Sequence, residues 1–340
     1  RIFQIFNYAA SEWEFLFGNE YAESWVWHQE SASKVISDIG DYTNGEDMIR
    51  IRWVANNGLD AAQIDFLQLE AEVVSDPTPS TPAPTGPPTT DWWLPKASDR
   101  LTWQWQLKDE IDTSLDVDIY DIDLFDTPQE IIDDLHSQDK KVICYFSAGS
   151  YEGWRPDWKM FFPSFTGDGD EKPFANKMSE WDERWLDISY IDELKPIMKY
   201  RMELAKAKRC DAVEPDNMDA YLNNEETGLS LTYSDQLEYN IFIAEAAHEV
   251  GLSVGIKNDI EQLDVLVDHF DWALNEQCFQ YNECANYTEF TNVDKAVFGV
   301  EYNVAADDFC STANAMNFSW LWKELSLGAF PRIGCIEEYP

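Results

Sequence analysis

The stretch DAVEPDNMDAY, residues 211–221, shows how the larger part of this chain is built. A short apolar start at Ala212–Val213 runs directly into acidic and amide side chains. In parallel α/β proteins, function sits where a strand ends and the following loop begins. The same order of a strand, polar residues and a helical stretch recurs through residues 92–340, which predicts a parallel α/β fold.

Candidate strands and helices alternate through this region. The candidate strands are Leu101–Leu107, Val117–Ile122, Lys141–Ser147, Trp185–Ser189, Ala212–Asp216, Ser253–Lys257, Trp272–Glu276, Ala296–Tyr302 and Arg332–Cys335. The candidate helices are Thr127–Gln138, Ile191–Lys208, Ser234–Val250, Ile260–Phe270 and Thr312–Leu327. A region of about 250 residues with this alternation predicts a (β/α)₈ TIM barrel. Such a barrel has one strand fewer than this set, so either Leu101–Leu107 or Arg332–Cys335 is expected to be accessory.

A segment rich in Pro, Thr and Ser divides the chain. DPTPSTPAPTGPPTT, residues 76–90, is typical of an extended spacer, and we predict a linker at 76–91. Residues 1–75 form the expected small β-rich domain, because Met48–Val54 and Ile64–Leu69 alternate at the period of a strand. Residues 48–70 resemble the last two strands of jelly-roll carbohydrate-binding modules of families 6 and 35. That resemblance implies sugar binding; a β-domain without a sugar site is the alternative.

The charge of the chain restricts its partners. There are 65 Asp and Glu against 24 Lys and Arg, a formal net charge of −41. Nucleic acids and anionic membrane surfaces need basic residues, so both are excluded as expected partners. A cationic ligand fits the charge, although acidity also serves solubility alone. No segment approaches the roughly 20 apolar residues of a membrane span.

Cysteines and sequons indicate a secretory route. The six cysteines can all pair, and the sequons at Asn286 and Asn317 are candidate glycosylation sites. Both features favour an oxidising compartment, so we expect a secreted or extracellular protein. The chain begins at Arg1 rather than Met, which we interpret as a processed or trimmed form. We expect a monomer.

Polar side chains gather at the predicted strand ends. They are Asp121, Asp123, Tyr145, Asp187, Glu214, Asp216, Asn217, Lys257, Asp259, Glu276 and Tyr302. Any single acid there can simply cap a helix. Several together would repel one another around one pocket, a cost that folds accept mainly at functional sites. Glycoside hydrolysis needs two such carboxyl groups. The few histidines argue against a zinc deacetylase, and no GxSxG motif supports a serine hydrolase.

Six ordered motifs resemble glycoside hydrolase family 114, the endo-α-1,4-polygalactosaminidases. They are YDIDLFD (120–126), CYFSAGS (144–150), ERWLDI (183–188), DAVEPDNMDAY (211–221), GIKND (255–259) and NEQCFQYNEC (275–284). The resemblance implies a (β/α)₈ barrel that cleaves α-1,4-linked galactosamine polymer, including deacetylated galactosaminogalactan. It places the catalytic pair on Asp216 as nucleophile and Glu276 as acid/base of a retaining mechanism. A polymer that carries ammonium groups would fit the acidic composition.

The residues around this pair in the sequence suggest its surroundings. The expected substrate-binding residues are Asp121, Asp123, Tyr145, Trp154, Asp187, Glu214, Asn217, Lys257, Asp259 and Tyr302. Cys278–Cys284 is the expected disulfide beside Glu276, and Cys310–Cys335 a second; the pairing of Cys144 and Cys210 is left open. We expect no metal and no cofactor. Two alternatives remain: a non-catalytic glycan-binding protein on a degenerate barrel, and a hydrolase of another α-linked galactosaminyl or galactosyl polymer.

Overall fold

The computed structural model describes residues 2–7, 12–18, 51–54, 92–161 and 173–339. The chain divides into two compact units, residues 1–87 and 88–340. In the first unit, β1 (Ile2–Asn7), β2 (Glu12–Gly18) and β3 (Ile51–Val54) form an antiparallel sheet in the order β2-β1-β3. The alternating stretch 48–54 contains β3. The second predicted strand, Ile64–Leu69, and the linker at 76–90 lie outside the described residues, and the domain boundaries stay a prediction.

The second unit is built on a large sheet and a small one. Its strands are β4 (Trp103–Gln106), β5 (Ile119–Asp123), β6 (Lys141–Ser147), β7 (Ser150–Tyr151), β8 (Phe174–Lys177), β9 (Arg184–Leu186), β10 (Ala212–Asp216), β11 (Ser253–Lys257), β12 (Trp272–Glu276), β13 (Val297–Glu301), β14 (Ser319–Lys323) and β15 (Arg332–Gly334). The strands β4, β5, β6 and β10 to β14 pair as parallel neighbours in that order. Eight parallel strands with helices between them make a TIM barrel, as the alternation predicts.

Helices connect these strands in the described part of the chain. They are α1 (Gln129–Ser137), α2 (Ile191–Ala207), α3 (Asn224–Thr227), α4 (Tyr233–Glu249), α5 (Leu263–Leu266), α6 (Cys278–Tyr281), α7 (Thr288–Asn292), α8 (Ala306–Ala315) and α9 (Cys335–Glu338). The predicted helix Ile260–Phe270 is α-helical only at α5. The start of α4 is fixed by a capping box, in which Thr232 and Asp235 each bond the other's backbone. This start directs Asn240 of α4 inward, where its Nδ2 donates to Asp259 Oδ2 at 2.7 Å.

Two of the predicted barrel strands are not barrel strands. The segment Arg332–Cys335 forms β15, which pairs antiparallel with β14 and is accessory, while Leu101–Leu107 contains the first barrel strand, β4. The prediction of a barrel strand at Trp185–Ser189 is wrong. Its first two residues belong to β9, which is part of a separate antiparallel sheet in the order β7-β9-β8. An isolated apolar run does not reveal its partner strand, so its pattern alone could not distinguish the two sheets.

The eighth barrel strand lies inside the predicted helix Thr312–Leu327, which is wrong over most of its length. Helix α8 ends at Ala315, and Asn317 takes the left-handed conformation with φ 58°. Asparagine tolerates that conformation and commonly stops a helix there. The run SWLWK that follows forms β14 and is largely buried. A short apolar run fits a buried strand and a buried helix equally well. Asn317 was the residue in the sequence that could have indicated the end of the helix before this run.

Side chains join the first and last barrel strands. Trp103 Nε1 on β4 donates to Ser319 O on β14 at 2.9 Å. Lys323 Nζ on β14 donates to Gln104 Oε1 on β4 at 3.1 Å. The Arg332 guanidinium on β15 adds a bond to Trp103 O at 2.7 Å. These contacts bring the two ends of the sheet together, so that the carboxyl ends of all eight strands surround one opening.

Glycines in the barrel strands make room for tryptophans on the neighbouring strands. A Cβ atom at Gly299 would stand 2.1 Å from the Trp320 ring, and one at Gly255 would stand 2.4 Å from the Trp272 ring. Both indoles are almost fully buried, so neither ring can move aside without displacing its other neighbours. The glycine and tryptophan therefore act as a matched pair across adjacent strands.

We predict that Gly299→Ala lowers the free energy of unfolding by about 1–3 kcal/mol, the usual cost of overpacking a core. Gly153→Ala is the matched control, because the nearest atom to its Cβ would lie at an ordinary 3.6 Å. We expect the control to change stability by no more than about 0.5 kcal/mol. Urea denaturation of both variants measures the difference, and equal stability would contradict this account of the glycine.

Candidate active site

The carboxyl ends of three adjacent barrel strands meet around the ammonium group of Lys257. Its Nζ lies 2.8 Å from Glu214 Oε1, 3.0 Å from Asp216 Oδ1 and 3.2 Å from Glu276 Oε2. Lys257 ends β11, which lies between β10 and β12 in the sheet. Glu214 and Asp216 share one face of β10, because they are two residues apart, and Glu276 ends β12. The strand order itself thus places the cation between the acids.

Asp216 and Glu276 lie close together and face solvent. Their side chains are 19% and 25% exposed, whereas Lys257 is almost completely buried beneath them. Since one oxygen of each contacts the same nitrogen, at 3.0 and 3.2 Å, these two oxygens are about 6.2 Å apart at most. The pair is therefore accessible to a ligand and closely spaced.

Asp216 is held in place by β6, by the loop that follows β6 and by the residue after β10. The Tyr145 hydroxyl donates to Oδ2 at 3.0 Å, and the Asn217 backbone N–H donates to Oδ1 at 2.8 Å. The backbone N–H groups of Ala148 and Gly149 donate to the Asp216 carbonyl. A Cβ at Gly149 would stand 1.8 Å from the Asn217 carbonyl oxygen, so only glycine permits this close approach. These bonds fix both the carboxylate and its backbone.

Glu276 has its own set of fixed neighbours. The Tyr302 hydroxyl, just after β13, donates to Oε1. The backbone N–H of Glu276 donates to Asn258 Oδ1 at 3.0 Å. Asn258 follows Lys257 directly, so the same strand end contacts Glu276 through two residues. The arrangement leaves Glu276 with defined geometry at the edge of the pocket.

Burial and charge compete at Lys257. Desolvation alone would lower the pKa of its ammonium group, but the negative charges of Asp216, Glu214 and Glu276 outweigh it and raise the pKa well above its usual value. Its Nζ also lies 4.6 Å from the centre of the Trp105 ring, a cation–π contact from the barrel floor. Lys257 is therefore a permanent cation.

Two further acids lie deeper in the barrel. The pKa of Glu214 is raised to about 7. Burial is the main cause, the charge of Lys257 acts against it, and the charge of Asp216 adds to it. Asp121 on β5 is fully buried, and desolvation together with the Glu214 charge raises its pKa well above the usual range. Neither group reaches solvent, so neither is placed to contact a sugar directly.

Two family models match this chain. The model of glycoside-hydrolase family GH114 matches residues 81–337. The N-terminal glycosyl-hydrolase-114-associated domain matches residues 1–66. The chain belongs to glycoside hydrolase family GH114. It is therefore an enzyme of the glycoside hydrolase class, and its N-terminal region is a domain that accompanies this family.

Solved structures agree with this GH114 assignment. The crystal structure of Aspergillus fumigatus Ega3 in complex with galactosamine is 37% identical, with a TM-score of 0.65 over 74% of this chain and 100% of that chain. The glycoside hydrolase domain of PelA from Pseudomonas aeruginosa is 10% identical, with a TM-score of 0.51 over 68% of this chain and 96% of that chain, and shows the fold alone. Among curated protein sequences, none matches significantly.

In this GH114 enzyme, another pair of acids adjoins the Lys257 cluster. Asp219 is partly exposed, and its pKa is raised to about 7 by desolvation and by the charge of Asp216. Asp259 is buried, and its pKa is raised to about 8 by desolvation and by the charge of Asp219. Sequence reasoning missed Asp219, although it stands three residues after Asp216 in the motif DAVEPDNMDAY. The prediction considered residues at strand ends, and Asp219 lies in the turn that follows the strand.

Two predicted substrate-binding acids are held in other interactions. Asp123 is buried in an ion pair with Arg155, 2.7 Å from its Nη2, and accepts two backbone N–H bonds from its own loop. Asp187 follows β9, outside the barrel sheet, and accepts from Ser189 Oγ at 2.5 Å. Both acids stabilise loops, which is the common role of a carboxylate after a strand. The sequence could not separate this role from ligand binding.

The remaining predicted residues fall into two groups. Tyr145, Asn217 and Tyr302 contact the carboxylates or their backbone, so their positions fit an orienting role. Trp154 is 53% exposed and lines a surface groove with Tyr151, Lys177, Glu183 and Arg184. An exposed indole can stack on a sugar ring, and that role of Trp154 stays a prediction.

Three disulfides cross-link the barrel unit, and one of them lies in the loop just after Glu276. The structure joins Cys144 to Cys210, Cys278 to Cys284 and Cys310 to Cys335. The first connects β6 to the residues that precede β10, and therefore links the two strands that carry Tyr145 and Asp216. Asn286 and Asn317 are both exposed, and their glycosylation stays a prediction. In the part of the chain that the structure describes, no helix is long and apolar enough to cross a membrane.

We predict that Asp259 makes the protein less stable as pH rises from about 5 to about 8. The folded carboxyl keeps its proton up to a pKa of about 8, whereas the unfolded one ionises near 3.8, so the folded state binds more protons in this window. Asp259→Asn removes this effect and can still accept from Asn240. Urea denaturation should show the stability of the wild type falling with pH relative to Asp259→Asn. Asp182→Asn, at a side chain that is 84% exposed, is the control and should track the wild type; a parallel fall in both variants would contradict the assignment.

Proposed function

We propose that this GH114 enzyme is a secreted, endo-acting hydrolase of α-1,4-linked galactosamine polymer, such as deacetylated galactosaminogalactan. The Asp216–Lys257–Glu276 cluster carries the proposal, because it offers two accessible, closely spaced carboxyl groups at the mouth of a barrel. The relationship to Ega3, whose crystal structure holds galactosamine, supports an amino-sugar substrate. The sequons and the full pairing of the cysteines support secretion.

Asp216 is the proposed nucleophile. Its two oxygens accept bonds from Tyr145, Asn217 and Lys257, all of which stabilise the ionised form and fix its direction. Attack of a carboxylate oxygen on the anomeric carbon would form a glycosyl ester while the bond to the leaving oxygen breaks. Glu276 is the proposed acid, which transfers its proton to that leaving oxygen.

The second half of the reaction uses the same residues. Forming the ester removes the negative charge of Asp216, and Lys257 then faces Glu276 with one carboxylate fewer to balance it. Glu276, which has given its proton to the leaving oxygen, is then the base that takes a proton from water as the water attacks the ester. One residue thus acts first as acid and then as base.

Electrostatics support a cationic substrate. A protein with a formal net charge of −41 attracts a polycation over distances set by the Debye length, and repels anionic polymers. Asp219 is a partly exposed acid beside the proposed pair, and its position is suited to an ammonium or hydroxyl group of the substrate. Binding of deacetylated polymer is therefore expected to weaken as salt is added.

We predict that Asp216→Asn and Glu276→Gln each keep the fold but lower kcat on deacetylated galactosaminogalactan by at least about 100-fold, since each removes a proton-transfer or nucleophilic group. Reducing-end release measures the activity. Asp264→Asn is the control, because its side chain is exposed on α5, and it should keep activity near that of the wild type.

The outcomes separate the alternatives. Unchanged product release by either variant would contradict the assignment of the pair. A wild type that binds the polymer without releasing reducing ends would indicate a glycan-binding protein. Faster release from the fully acetylated polymer than from the deacetylated one would assign the chemistry to another substrate.

We predict retention of configuration at the cleaved bond. Asp216 and Glu276 contact the same ammonium group, and this shared contact favours the close spacing of a retaining pair over the wider spacing that leaves room for a water. Proton NMR early in the reaction should show the α anomer as the first reducing end to appear, before mutarotation. A β anomer appearing first would indicate inversion and would remove Asp216 from the role of nucleophile.

A further inference from the structure

Asp121 is an acid with no ordinary partner. Its side chain is fully buried on β5, and neither carboxyl oxygen meets a hydrogen-bond donor among the described residues. An ionised carboxylate in that position would lack solvent, and Lys257, the nearby cation, lies beyond ion-pair distance in contact with other acids. Such an arrangement is costly in a protein interior. A protonated carboxylic acid avoids most of that cost and gains a donor.

The neighbour of Asp121 is another carboxyl group. Glu214 lies within hydrogen-bonding reach on β10, two strands away around the barrel. Its Oε2 also meets no donor among the described residues, while its Oε1 contacts Lys257 at 2.8 Å. Two carboxyl groups can form a hydrogen bond only if one carries a proton. The neighbour of Lys257 is the one favoured as the anion, which leaves the proton on Asp121.

The pair connects to the proposed catalytic residues through one atom. Lys257 Nζ contacts Glu214 on its buried side and both Asp216 and Glu276 on its exposed side. A lysine has four rotatable side-chain bonds, so its ammonium group stays between the two outer carboxylates only if something holds it there. From below, Glu214 contacts the ammonium group directly through a hydrogen bond, beside the Trp105 ring, and Glu214 in turn is oriented by Asp121.

We propose that Asp121 is a positioning residue that stays protonated and donates a hydrogen bond to Glu214. The oriented Glu214 carboxylate then fixes the Lys257 ammonium group, which sets the spacing of the proposed nucleophile and acid/base. Asp121 and Glu214 therefore act through Lys257 and do not touch the sugar.

Two substitutions at Asp121 test the proton. Asn keeps the shape and provides a permanent N–H donor, whereas Leu has a similar shape and no donor. We expect Asp121→Asn to keep kcat within about threefold of the wild type, and Asp121→Leu to lower it about 100-fold, as a displacement near 1 Å can do. KM should change little in either, because the substrate contacts are untouched. This kinetic experiment uses deacetylated galactosamine polymer and so rests on the proposed function.

A second measurement needs no substrate. The infrared spectrum of the wild type at neutral pH should contain the carbonyl stretch of a buried protonated carboxylic acid. Other protonated acids such as Asp259 contribute to the same carbonyl region, so Asp121→Asn should lower the intensity of the band by one carboxylic acid rather than abolish it. Asp187→Asn, the control on a loop outside the barrel sheet, should leave the intensity unchanged. A wild type that hydrolyses nothing would overturn the proposed function, and the infrared band would still decide whether Asp121 holds a proton.

Either of two results would overturn the inference. If Asp121→Asn lost as much activity as Asp121→Leu, the ionised form of Asp121 would be the one required. If Asp121→Asn did not lower the intensity of the carboxylic acid band, Asp121 and Glu214 would share no proton. Three results together would support the inference: Asp121→Asn keeps its activity, Asp121→Leu loses it, and Asp121→Asn lowers the intensity of the carboxylic acid band.

Discussion

The ion cluster around Lys257 is the interaction on which the rest of the site depends. An ammonium group in a protein interior is strongly disfavoured unless anions compensate it, and carboxylates that share a pocket repel one another unless a cation separates them. Each requirement satisfies the other here, because Lys257 contacts Glu214, Asp216 and Glu276 at 2.8, 3.0 and 3.2 Å. Without the Lys257 charge the three carboxylates would repel one another, so the positions of these acids depend on the charge of the lysine.

The barrel supplies the geometry that such a cluster needs. The acids and the lysine come from three adjacent parallel strands, and parallel strands bring their carboxyl ends to the same edge. Behind them, the tryptophans Trp103, Trp105 and Trp272 fill the interior, with Trp105 forming the floor beneath Lys257. The floor is rigid because these rings are buried on all sides, and glycines on neighbouring strands leave room for indoles. A site whose acids carry raised pKa values is less stable than an apolar one, and the packed barrel offsets that cost.

Much of this architecture could be predicted from periodicity. The strands β6, β10, β11 and β12 have the bounds that their apolar runs indicate, because each run is short, apolar and ended by polar residues. Periodicity failed where an apolar run was ambiguous. The run SWLWK continued an apolar stretch after α8 and was assigned to the helix, while the run at Trp185 was assigned to the barrel although its partners belong to another sheet. In both cases the deciding information was a partner strand distant in sequence.

The sequence by itself determined the family and the barrel and singled out Asp216 and Glu276 as the candidate pair, since ordered motifs and strand alternation are local features of the chain. Only the tertiary structure decided where each of the other acids lies and which groups it contacts. Asp121 and Glu214 are buried in the barrel interior near Lys257. Asp123 forms an ion pair with Arg155. Asp219 lies beside Asp216, in a turn rather than on a strand. The physical reason is that strand periodicity sets the face on which a side chain lies. The register and stagger of neighbouring strands set which charge it meets there.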